Sequence, residues 1–107
     1  MIGIPTHREP THPGEMLLEE FLKPMGITQQ ELADQIHVPY QRVNELVRGR
    51  RGMTPETALR LAKFFGNSAE FWTGLQLSVD LYRAQKREAA TLKKIHRSKK
   101  VLAEAAK

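Results

Sequence analysis

Tyr40, Gln41, Arg42, Asn44, Glu45, Arg48, Arg50 and Arg51 crowd into twelve positions of the chain. A phenol, two amides and four guanidinium groups are the side chains that address base edges and phosphates. Gln41 can pair with adenine through two hydrogen bonds, and Arg42 can pair with guanine or grip a phosphate; a good two-bond pair discriminates by ~1–3 kcal/mol. Tyr40 offers its ring edge to a thymine methyl or its OH to a phosphate, and Asn44 suits a second-turn contact. Glu45 runs against the field of a polyanion, so it either accepts from cytosine or orients Arg42 or Arg48. Arg48, Arg50 and Arg51 are candidates for phosphates.

These groups need a helix to present them, and the residues between them supply one. Val43, Leu46 and Val47 make an apolar stripe at helical spacing, with Pro39 fitting the first helical position and Gly49 the C-terminal cap. Upstream, Thr28 and Glu31 have the spacing of a capping box. Leu32, Ala33 and Ile36 then share one face, and the small Ala33 permits a close helix crossing. His37-Val38 is the connection. The spacing predicts a helix-turn-helix, in which the second helix enters the major groove of DNA.

The remaining elements are also helical, and the expected fold is an all-α domain of five helices. A first helix is expected from about Pro13 to Lys23, with Leu18, Phe21 and Leu22 inward and Pro24 and Gly26 ending it. Thr54, Pro55 and Glu56 open a fourth helix whose stripe is Ala58, Leu61, Ala62 and Phe65, closed by Gly66. Ser68 caps a fifth that carries Phe71, Trp72, Leu75, Leu81 and Tyr82, with no Gly or Pro after Gly74 to stop it. Residues 1–12 read as a mobile arm, 13–82 as the helix-turn-helix domain, and 83–107 as a basic, helical or frayed extension. Leu92, Ile95, Leu102 and Ala106 recur there at heptad-like spacing.

The chain has 107 residues, no cysteine and a net charge of +5. One small core leaves stability marginal unless the protein associates. Lack of cysteine excludes a disulfide framework and suits a cytoplasmic protein. No apolar run reaches the roughly 20 residues that span a bilayer. Residues 83–107 hold nine Lys or Arg and two Glu, hence +7, whereas residues 1–82 hold eight against ten, hence −2. Arg42, Arg48, Arg50, Arg51, Arg60 and Lys63 oppose only Glu45 and Glu56, a local excess at the second helix of the motif and beyond. Glu15, Glu19, Glu20, Glu31 and Asp34 gather on the first two helices, a face suited to a basic partner. His7, His12, His37 and His96 lack metal-site spacing. No nucleophile set, phosphate loop or cofactor motif occurs, so neither an enzyme nor a small-molecule substrate is expected.

The segments HPGE at residues 12–15, RRGMTPETALRLA at 50–62 and FWTGLQ at 71–76, around the helix-turn-helix, resemble the HigA family of antitoxins, the VapI-like branch of phage-repressor-like proteins. The resemblance covers about residues 12–82. It implies two roles: neutralising a RelE-like ribonuclease toxin that cuts messenger RNA, and repressing transcription as a homodimer on a palindromic operator of double-stranded DNA. It implies that Tyr40, Gln41 and Glu45 read bases with Pro39 at the entrance, and that Gln29, beside the Thr28 cap, clamps a phosphate. Phe71, Trp72 and Leu75 are expected at a two-fold interface that sets the recognition helices about 34–36 Å apart. The alternatives are a stand-alone repressor without a toxin and a helix-turn-helix scaffold for protein contacts.

Overall fold

The computed structural model describes residues 8–100, and all of its regular structure there is helical. Helix α1 is built of three contiguous segments, Pro13–Met16, Leu17–Leu22 and Lys23–Met25. It is followed by α2 (Gln29–Ile36), α3 (Tyr40–Val47), α4 (Pro55–Phe65), α5 (Ala69–Arg87) and the single turn α6 (Ala89–Leu92). Helices α2 and α3 are the helix-turn-helix. His7, Leu102 and Ala106 lie outside the described residues.

Helix α1 runs further than expected, because Pro24 does not end it. The Leu17–Leu22 segment is π-helical, and the Lys23 N–H donates to the Leu18 carbonyl, five residues back. A proline inside an α-helix presses on the carbonyl four residues earlier, and the wider π turn moves that carbonyl aside. The extra residue in the turn also slips the apolar phase. Leu17, not Leu18, is fully buried with Leu22, while Leu18 and Phe21 are half-buried.

The caps explain the other boundaries. Thr28 and Glu31 form the full capping box, with Thr28 Oγ1 accepting from the Glu31 N–H and Glu31 Oε1 from the Thr28 N–H, each at 3.0 Å. Such a cap is worth about 1 kcal/mol. Thr54 and Ser68 accept from the Thr57 and Phe71 N–H groups to start α4 and α5. Pro39 lies one residue before α3 as its extended N-cap, not inside the first turn. Beyond α3, Gly49 is left-handed (φ 73°), its N–H donating to the Leu46 carbonyl and that of Arg50 to the Glu45 carbonyl. These two bonds are a Schellman ending. The same pattern ends α2 with His37 in the glycine-favouring region at φ 59°.

The core gathers Leu17, Leu22, Leu32, Ala33, Ile36, Val43, Leu46, Met53, Ala58, Leu61 and Trp72. Trp72 sits at its aromatic end, its ring 5.0 Å from Phe21 and 4.9 Å from Phe71, with its Nε1–H donating to Asn67 Oδ1 at 3.0 Å. Within residues 8–12, Glu9 meets α5 through an exposed ion pair, Arg83 Nε donating to Glu9 Oε2 at 2.6 Å. Helix α5 passes position 82 without a break, so no structural boundary separates domain from extension there.

Candidate nucleic-acid interface

Helix α3 is positioned from three sides. Gly14, in the first turn of α1, lies so close to the carboxyl end of α3 that a Cβ there would stand 1.8 Å from the Leu46 carbonyl oxygen. Only a glycine allows that approach. The α1 start is fixed by Pro13, which is buried, and by His12, whose Nδ1 accepts from the Gly14 N–H at 2.9 Å. Burial, and then the nearby Arg83 charge, push the His12 imidazole below its ordinary pKa. Neutral is also the state its acceptor role requires. On a second side, the Leu32–Ala33–Ile36 face of α2 packs against α3. On the third, Arg60 of α4 donates from Nη1 to the carbonyls of Ile36 (2.7 Å) and His37 (3.2 Å). Arg60, counted in sequence with the basic excess, is thereby engaged at the turn of the motif.

The outer face of α3 carries a connected polar network. Asn44 Nδ2 donates to Gln29 Oε1 at 3.0 Å, joining α3 to the first turn of α2. It also lies 3.5 Å from the Tyr40 hydroxyl, and Tyr40 is exposed. With its oxygen occupied, Gln29 keeps its NH2 to donate elsewhere, beside the positive end of α2. Glu45 neither reaches Arg42 nor Arg48; its partner is Arg51, whose Nε and Nη2 donate to Glu45 Oε1 at 3.1 and 2.9 Å. Glu45 Oε2 faces Gln41 Nε2 at 3.4 Å. Arg42 is half-buried, and its Nε has no hydrogen-bond partner among the described residues. Arg48 and Arg50 are exposed and make no ion pair within that set.

Thus Pro39, Tyr40, Gln41, Arg42, Asn44 and Glu45 come together with Thr28 and Gln29 on one surface, and Arg51 joins them from the exit loop. Donors dominate this surface, and its one carboxylate on α3 is already paired. The arrangement suits a polyanion read through its base edges. Trp72, by contrast, cannot meet a partner subunit: it is 0% exposed inside the chain's own core, where its indole is already hydrogen-bonded. The apolar groups left open on α5 are Phe71, Leu77 (58% exposed) and Leu81 (45%), with Gly74 between them facing open space. Leu77 gives no periodic signal that separates it from a core position, so sequence patterning alone passes over it.

Two further features complete the surface. A groove of about 480 Å³ is lined by Thr11, Glu15, Met16, Glu19, Glu20, Phe21 and Phe71, three carboxylates beside two aromatic rings. Among the described residues no group of His, Asp and Glu could hold a metal ion, and no helix is long and apolar enough to cross a membrane.

A helix-turn-helix family model matches residues 18–72. The chain is 50% identical over 74 residues to virulence-associated protein I of Dichelobacter nodosus, covering 69% of this chain and 68% of that one. It is 43% identical over 82 residues to antitoxin HigA-1 of Vibrio cholerae, covering 77% of each. Among solved structures, antitoxin HigA of Pseudomonas aeruginosa with the higBA promoter superposes with a TM-score of 0.78 at 34% identity, over 85% of this chain and 99% of that one. PA4674 of the same organism, in complex with its operator DNA, gives a TM-score of 0.81 at 34% identity, over 91% and 99%. With a helix-turn-helix of this geometry and relatives of this closeness, the chain belongs to the HigA family of helix-turn-helix antitoxins.

Proposed function

We propose that the chain is the antitoxin of a toxin–antitoxin pair, which binds its own palindromic operator as a homodimer in the cytoplasm and neutralises a RelE-like mRNA-cleaving toxin. The observation that carries the DNA half is the polar network of α3, tied to the start of α2 by the Asn44–Gln29 bond. It preorganises a donor-rich face, and ordering side chains in advance lowers the cost of binding. In this reading Tyr40, Gln41 and Arg42 meet base edges, while Gln29, Arg48 and Arg50 meet phosphates. Relatives solved with a promoter or an operator support it.

For the dimer, the open strip of Leu77 and Leu81 around Gly74, flanked by Phe71, is the face offered to a second copy; Leu75 is half-buried at its border. For the toxin, the acidic groove of Glu15, Glu19 and Glu20 offers carboxylates and aromatic rings to cationic side chains. Names of relatives such as the HTH-type transcriptional regulator YbaQ of Escherichia coli, 42% identical over 78 residues, favour a second reading as a repressor without a toxin.

A gel shift with the chain's own promoter tests the first half. Gln41→Ala and Arg42→Ala should each weaken binding by tenfold or more, following the ~1–3 kcal/mol of a two-bond base pair contact. Equal binding by parent and variants sinks the assignment. Co-expression with the protein of the adjacent reading frame tests the second half. Charge reversal at Glu15, Glu19 and Glu20 should release that partner, and retention of the complex excludes the acidic groove.

A further inference from the structure

Glu45 is the one carboxylate on α3, and both of its oxygens are engaged. Oε1 holds the Arg51 guanidinium through two N–H groups, and Oε2 faces the Gln41 amide. The pair is half-open to solvent, with the Glu45 side chain 31% exposed and Arg51 44%. Pro39, Gln41, Arg42, Glu45 and Arg51 surround one cleft of about 200 Å³. Oε1 already accepts two N–H groups, which leaves Glu45 turned toward Arg51, and a guanidinium held by a carboxylate brings no net charge to a phosphate.

We propose that Glu45 is a positioning residue that sets sequence discrimination: it fixes the poses of Gln41 and Arg51, and it withholds the Arg51 charge from duplexes of any sequence. The inference rests on the reading of α3 as the DNA-recognition helix. The carboxylate acts in two ways. Paired with Arg51 it removes one net positive charge from the surface, so a duplex that cannot form the base contacts gains no compensating phosphate attraction there. It also gives the Gln41 amide an acceptor that favours one pose, so that its donor and acceptor are already turned toward adenine. Arg51 therefore serves as the counter-charge of Glu45 rather than as an independent phosphate clamp.

The test uses the full chain, its own promoter duplex and a scrambled duplex of equal length, each titrated across a range of KCl. Glu45→Gln keeps the shape and removes the charge. Its expected result is at least tenfold tighter binding to the scrambled duplex and at least a tenfold lower ratio of promoter to scrambled affinity. The dependence of log K on log salt should steepen by ~0.9, one more phosphate neutralised. Adding Arg51→Ala to Glu45→Gln should return the slope to the parental value. Loss of promoter affinity with no gain on the scrambled duplex and an unchanged slope would identify a base contact and overturn the proposal. An unchanged ratio and slope would overturn it too. If the parent itself shows no preference for its promoter, the underlying DNA reading fails, which is a separate outcome from either.

Discussion

Helix α3 is held on its two sides by opposite means. Its inner side and carboxyl end meet neighbours through closely packed atoms: Val43 and Leu46 in the core, and the Leu46 carbonyl against the bare backbone of Gly14. Its outer side is arranged by exposed or part-buried hydrogen bonds among Gln29, Tyr40, Gln41, Asn44, Glu45 and Arg51. Close packing resists displacement strongly and leaves few alternatives. Solvated polar contacts are individually weak and can exchange for contacts to a ligand. The helix is thus fixed as a body, while its outer side chains are held in place by contacts that a ligand can replace, as the proposed reading surface requires.

Substitutions on the packed side should therefore cost most in stability. Gly14→Ala drives a methyl into the Leu46 backbone, and neither helix can yield without separating; it should lose about 3 kcal/mol or more. Thermal unfolding should show a fall in Tm of more than 10 °C, on the scale of about 4–8 °C per kcal/mol for a domain of this size. A near-parental Tm would mean that the α1–α3 approach is looser than described. Arg60→Ala should come next, at about 1–2 kcal/mol, because the carbonyls of Ile36 and His37 lose a charged donor. Denaturant titration measures it, and DNA affinity should fall only as far as the turn loosens.

A smaller effect is expected from pH. Burial lowers the His12 pKa in the folded chain, so the unfolded chain takes up the proton first as pH falls. The stability from the neutral cap is complete above the ordinary imidazole value of about 6.5 and is lost as pH drops through it toward the folded-state value. Between pH 7.5 and 5 the parent should lose more Tm than His12→Ser, whose hydroxyl caps without titrating. Equal losses would assign the acid sensitivity elsewhere. The Glu9 carboxyl, held low chiefly by its hydrogen bond to Arg83, is present in both proteins and so largely cancels from the comparison.

Much of the frame was legible in sequence because caps and apolar stripes are local signals. Thr28 with Glu31, Thr54 with Pro55, Ser68, Gly49 and Gly66 each mark an end that the structure keeps within a residue. What escaped was non-local or out of phase. The π turn shifted the buried position from Leu18 to Leu17, since a fixed helical period cannot register an inserted residue. Trp72 read as an interface residue because helical spacing does not say which neighbour covers a face. Arg60 read as one of several basic groups, yet its partners lie 23 and 24 positions away. The same limit applies to Glu45, whose partner Arg51 lies in the loop after α3 and not at Arg42 or Arg48.

Gly14 has one mechanical consequence. Where two helices meet through side chains, a push on one is partly taken up by rotamer changes. At Gly14 there is no side chain to take it up, and main chain faces main chain. The next residue along α1, Glu15, and after it Glu19 and Glu20, belong to the acidic groove on another side of the same helix. Helix α1 is consequently a strut with the acidic groove on one side and the carboxyl end of α3 on another. At the Gly14 contact, a displacement of α1 meets the α3 main chain directly, with no rotamer between them to absorb it.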